Sequence, residues 1–152
     1  MMKPFAAKGF IVLCAVYRDL ALCLAYTCQM IIAMINQDEV PDHISAVIPD
    51  IAMECHQPGN VRNIYRSVHV FLDYTFRMIR EHNMAAVNAC FTLAEKLYTQ
   101  GSSKVKCAIE NVFVFSFSLL PVESVEERSQ IMNMIPAPLI SVYMSQVLHE
   151  GC

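Results

Sequence analysis

Between Val61 and Ile79 the positions Val61, Ile64, Tyr65, Val68, Phe71, Leu72, Thr75, Phe76 and Ile79 recur at steps of three and four residues. That recurrence draws one continuous stripe down about five turns of helix. A strand would need the apolar residues to alternate at every second position, and they do not. An amphipathic rod of this length buries its stripe only against other elements, so the chain is directed toward a layered helical core.

The same period runs through the rest of the chain. Ile44, Val47, Ile48, Ile51, Ala52 and Cys55 form an earlier helical stripe, with Pro49 starting a fresh turn or kinking it and Pro58-Gly59 closing it. Asn83 marks the end of the long helix. Met84, Val87, Cys90, Phe91, Ala94, Leu97 and Tyr98 define the next, and Gly101 is placed to cap it. A fourth segment, capped by Ser102 or Ser103, carries Val105, Ala108, Ile109, Val112, Phe113, Ser116 and Leu119 as far as Pro121. Val112 to Phe117 has strand propensity, but its helical flanks and lack of a strand partner oppose that reading. Ser124-Val125-Glu126-Glu127 matches a capping box, and Pro136-Ala137-Pro138 opens a last helix with Leu139, Val142, Tyr143, Met144 and Val147. The expectation is an all-α domain of five or six helices packed as antiparallel hairpins, with a HEAT-like superhelical bundle among the arrangements open to it.

Composition separates the first 33 residues from the remainder. Twenty-five of them are apolar, and only Lys3, Lys8, Arg18 and Asp19 carry charge. Three readings stand for this segment: an upstream start that precedes a working protein beginning at Met34, an extra helix or helical pair, or an anchor or targeting segment. Residues 10–35 are long enough for a membrane span, but Arg18 and Asp19 near its middle oppose insertion by about 2.5–3.5 kcal/mol each. No clean small-x-small cleavage site follows it. Residues 34–152 read as one helical domain with 8 basic and 13 acidic side chains, a balance that repels polyphosphate and favours basic protein partners. With 55% apolar and 16% charged residues and only four glycines, the chain is neither disordered nor built on glycine-rich phosphate loops.

Seven cysteines, at positions 14, 23, 28, 55, 90, 107 and 152, show no framework spacing and no C-x-x-C. They read as reduced thiols in a cytoplasmic protein. His43, His56, His69 and His82 lie 13 residues apart. Thirteen helical residues turn through about 220° and rise about 19.5 Å, so His69 and His82 on one helix cannot share a metal ion. Cys55-His56 lacks a second pair of ligands. No P-loop, G-x-S-x-G, H-E-x-x-H or G-x-G-x-x-G motif occurs, so neither metal nor cofactor is expected.

Arg77 and His82 have the R-x4-H spacing and resemble the ribonuclease motif of HEPN-domain proteins, where such a pair contacts phosphate and acts in cleavage. Met78 departs from that pattern, which usually has a polar residue after the arginine. The competing reading places Asp73, Arg77 and Glu81 in an ion-pair ladder and His82 at a helix C-terminus.

Glu95-Lys96-Leu97-Tyr98, Gly101, Ala108-Ile109-Glu110-Asn111-Val112-Phe113 and Phe115-Ser116-Phe117 resemble the central signature of a family of small uncharacterised helical bacterial proteins, a domain of unknown function. The resemblance runs from about Ile44 to the closing Gln146-Val147-Leu148-His149-Glu150-Gly151-Cys152. Similar compact helical proteins serve as immunity partners of secreted toxins, an analogy of form. Glu110 and Asn111 lie beside the apolar stripe, where they either satisfy backbone groups or present a polar spot to a partner. Tyr65, Tyr74, Tyr98 and Tyr143 suit interfaces as well as cores. The expectation is therefore a non-enzymatic protein-binding domain with Tyr74, Glu110, Asn111 and Tyr143 as contact residues. Its concrete form is neutralisation of a basic toxin domain by steric occlusion, with no nucleic-acid ligand. A cytosolic regulatory scaffold, a ribonuclease using Arg77 and His82, and a membrane-anchored helical protein are the alternatives.

Overall fold

A computed structural model describes residues 34–150. The readings made for residues 1–33, including an anchor across 10–35, lie outside the described residues apart from Met34 and Ile35. Ile35 begins the compact unit that holds every element below.

The all-α expectation is met, and no β-strand occurs among the described residues. They form eight α-helical segments, more than the five or six expected, because breaks at Ile48 and around Gln57 and Arg62 divide the first stripe and its approach to the long helix. These are α1 (Val40–Val47), α2 (Ala52–Cys55), α3 (Pro58–Val61), α4 (Ile64–Arg80), α5 (Met84–Gln100), α6 (Ser103–Ala108), α7 (Val125–Met134) and α8 (Ala137–Glu150). Pro49 opens a separate 3-10 turn, Pro49–Ile51, since it cannot donate the backbone bond that would continue α1. Ile44, Ile48, Ile51 and Cys55 are buried as read, whereas Val47 faces outward.

Helix α4 buries Ile64, Val68, Phe71, Leu72, Thr75 and Ile79 from the anticipated stripe, and Ser67, Tyr74 and Met78 in addition. Asn63 caps it by accepting the Tyr65 N–H. At the other end, Asn83 N–H donates to Met78 O and His82 N–H to Ile79 O, at 2.9 and 3.0 Å. This is a Schellman closure with His82 in the left-handed position normally given to glycine, at φ 55°. The next residue, Asn83, then starts α5 by accepting the Ala86 N–H. Helices α4 and α5 are thus joined by three residues and pack against each other.

Helix α6 does not end at Ala108 as a free terminus. It runs on into a π-helical segment, Ile109–Val114, and then a 3-10 segment, Phe115–Leu119. The wide π turns retard the phase of the rod, so residues four apart stay on one side: Val105, Ile109, Phe113 and Phe117 are all buried. Leu119, expected on the buried stripe, is instead 66% exposed. Phe113 is the centre of the core. Its ring stacks on Phe71 with centroids 4.9 Å apart and meets Phe91 and Phe117 edge-on.

The capping box at α7 forms with a shift. Ser124 Oγ accepts the Glu127 N–H, but the Glu127 carboxylate turns back to the N–H of Glu123 rather than of Ser124. Before α1, Ile35 makes an isolated parallel bridge with Gly101, donating to Gln100 O and accepting from Ser102 N, both at 2.8 Å.

Candidate functional site

The π-helical segment and α8 flank an open groove of about 600 Å³. One wall carries Glu110, Asn111 and Phe115, and the other Val142, Gln146 and His149, with Ser141 and Ser145 alongside. The π geometry is tied to this pairing of elements. Glu110 O accepts the Phe115 N–H five residues later, and it also accepts Gln146 Nε2 from α8 at 3.0 Å. A single carbonyl therefore holds the wide turn and the neighbouring helix together.

The polar groups of the groove are fixed by their backbone bonds. Asn111 Nδ2 donates to Cys107 O at 2.8 Å, so its amide oxygen must point the other way. The same reasoning fixes Gln146, whose Oε1 is buried with no hydrogen-bond partner. Tyr98 donates its hydroxyl to Glu110 Oε1 at 3.1 Å. Burial and this bond to the carboxylate push the Tyr98 phenol up, which keeps the proton on the donor. Phe115 is half exposed beside these groups, and along the outside of α8 Met144, Val147 and Leu148 are exposed as well.

The expected contact residues separate into two groups. Glu110 and Asn111 stand together in the groove. Tyr143 is half-buried on α8 with its ring 5.8 Å from that of Phe117, so it supports the groove from the core side. Tyr74 is only 9% exposed and sits on α4, its hydroxyl near Asp50 and its ring under Arg77 at 5.1 Å. Phe115, Gln146 and His149 also line the groove, and no local pattern in the sequence marks them as site residues.

Arg77 and His82 take up different partners. Arg77 lies over the Tyr74 ring, and among the described residues it forms no ion pair with Asp73 or Glu81, so the expected ladder is not made. The planar guanidinium, itself exposed, lies on the face of a buried ring one turn back, while the two exposed carboxylates offer only a screened attraction. His82 Nδ1 bonds Glu127 Oε1 at 2.9 Å, linking the α4–α5 turn to α7.

No group of three or more His, Cys, Asp or Glu able to hold a metal exists among the described residues. Cys55 is fully buried, and burial together with the nearby Glu54 raises its thiol to about 11. Burial likewise raises Cys90. Both thiols stay protonated and unreactive near neutrality. His56 is engaged through both nitrogens, Nε2 with Asp42 at 2.9 Å and Nδ1 with Ala52 O at 2.7 Å. Two acceptors favour the doubly protonated ring, so the hydrogen bond to Asp42, with that to Ala52, raises its pKa above 6.5. A raised folded value means a contribution to stability that is complete below the unfolded pKa and lost as pH climbs through the folded one. NMR titration is expected to place the His56 midpoint above 6.5, and Asp42→Asn to bring it down; an unchanged midpoint in Asp42→Asn contradicts the pairing.

A family model described as "Domain of unknown function (DUF7674)" matches residues 41–149. The chain belongs to this family. The matched region contains the whole groove, from the π-helical wall to His149 on α8. Comparison with curated proteins and with solved structures gave no match. No described helix is long and apolar enough to cross a membrane.

Proposed function

We propose that the domain is a non-enzymatic protein-binding module and that the groove between the π-helical segment and α8 is its recognition surface. The observation that carries this reading is the half-exposed Phe115 set beside amide and carboxylate acceptors whose orientations are already fixed. An aromatic anchor next to preorganised polar groups gains affinity because little freedom is lost on binding. The groove is open and shallow, which suits a protein surface better than an enclosed small molecule.

The concrete version is a toxin-neutralising partner acting in the cytoplasm. An excess of acidic over basic side chains from Met34 onward, 13 against 8, steers a basic toxin domain toward it, and the bound domain then has its active site or substrate path blocked. The unreactive, unpaired Cys55 and Cys90 fit a reducing compartment.

Affinity purification of the tagged full chain from native cells, compared with Phe115→Asp, tests the module. The wild type is expected to capture a partner that the variant loses by at least about tenfold, the effect of removing one well-buried anchor. Equal capture by both overturns the groove as the recognition surface. The captured partner is expected to arrest growth when expressed alone and to be harmless with this chain; a partner harmless by itself contradicts neutralisation and leaves a scaffold.

A further inference from the structure

We infer that the groove receives an arginine side chain of the partner, its guanidinium bound by Glu110 and Asn111 and covered by Phe115. This deepens the protein-binding reading above and rests on it for the identity of the ligand's bearer.

The groove gathers open hydrogen-bond acceptors around a single carboxylate. Glu110 uses Oε1 for the Tyr98 hydroxyl, and among the described residues its Oε2 makes no hydrogen bond. Asn111 spends one of its two amide N–H donors on Cys107 O, leaving Oδ1 open. Gln146 spends one of its two amide N–H donors on Glu110 O, leaving the buried Oε1 without a donor. Each amide turns one N–H inward and so directs its carbonyl oxygen away from that bond, which leaves three open acceptors, one of them a carboxylate oxygen, beside the remaining amide N–H groups. The lining includes one carboxylate and neither lysine nor arginine, His149 being its other titratable side chain. The complement of such a wall is a cation with several donors.

Phe115 selects among cations. Its exposed ring offers a π face to a flat delocalised group, and a guanidinium combines that stacking with a planar fork of N–H donors. An ammonium has no flat face to stack and a stronger hydration shell to shed. The buried, unpaired Gln146 Oε1 supplies a second reason for a donor-rich guest, because an unsatisfied acceptor is a liability until a donor or a side-chain rotation relieves it.

The test uses the full chain, isotope-labelled, with three blocked tripeptides as probes: acetyl-Gly-Arg-Gly-amide, the same peptide with citrulline as a neutral isostere, and the same peptide with lysine. The arginine peptide is expected to shift the side-chain amides of Asn111 and Gln146 and the ring signals of Phe115 saturably. Citrulline is expected to bind at least tenfold more weakly and lysine at least threefold more weakly. Glu110→Gln and Phe115→Ala are each expected to weaken arginine binding at least fivefold while leaving the circular dichroism unchanged. Citrulline binding as well as arginine, or arginine shifts absent from the groove, overturns this inference. If a partner is captured in a Phe115-dependent way and arginine does not bind, the module stands and its guest is a different side chain. If arginine binds and no partner is captured, the groove chemistry stands and the protein-binding reading fails.

Discussion

Phe113→Ala is expected to lower the unfolding free energy by about 3–5 kcal/mol, the range for removing a fully buried phenylalanine. Phe113 is completely buried and touches rings contributed by α4, α5 and the 3-10 segment, so no one neighbour can fill the void by shifting alone. Against a total of roughly 5–15 kcal/mol for an ordinary domain, that loss removes a large part of the stability. Urea unfolding followed by far-ultraviolet circular dichroism measures it. Phe113→Leu, which keeps most of the volume, is expected to lose less than half as much. A loss below about 1 kcal/mol for the alanine variant contradicts the central place given to this ring.

Gly101→Ala is expected to be the second large effect, a loss of about 1–3 kcal/mol or more. Gly101 has φ −75° and ψ 154°, an extended conformation open to any residue, so the left-handed freedom of glycine is not what the position requires. Space is. A Cβ there would collide with the Leu97 carbonyl oxygen and lie 2.6 Å from Val105 Cγ1. The carbonyl is backbone and cannot swing aside, so the junction of α5 and α6 must open. Opening it strains the two bonds that pair Ile35 with Gln100 and Ser102. Faster hydrogen exchange at the Ile35 and Ser102 amides is therefore expected beside the loss in chemical unfolding. Normal stability of Gly101→Ala would show that the close approach is dispensable.

Helices α4 and α5 were legible because a 3.6-residue period over 17 residues leaves little choice of face; their N-caps were not, since the stripe ran back to Val61 past Asn63 and Asn83 read as an end rather than a start. The segment after α6 was legible as helix and misread in phase. A regular α-helix places Leu119 on the stripe, and the π turns carry Phe117 there instead. The spacing in fours of Val105, Ile109, Phe113 and Phe117 is the trace of those turns in the sequence, since an α-helix drifts about 40° over four residues and would not hold them on one side.

Of the site, one half was visible. Glu110 and Asn111 stood out beside the stripe, but their meaning depends on Gln146, which is 36 residues away and reaches Glu110 O only because α8 packs along the π-helical segment. A local pattern contains nothing about which helix faces which. Arg77 and His82 illustrate the converse. Their spacing suggested a joint role, yet His82 is drawn to Glu127, 45 residues on, and Arg77 to Tyr74.

The central claim is that the face built by the π-helical segment and α8 is where a protein partner sits. Hydrogen–deuterium exchange of the full chain, free and in complex with its captured partner, tests this most directly. Slower exchange concentrated in residues 107–115 and 141–149 is the predicted result. Protection confined to α1, α2 or α3, with those two stretches unchanged, would contradict it.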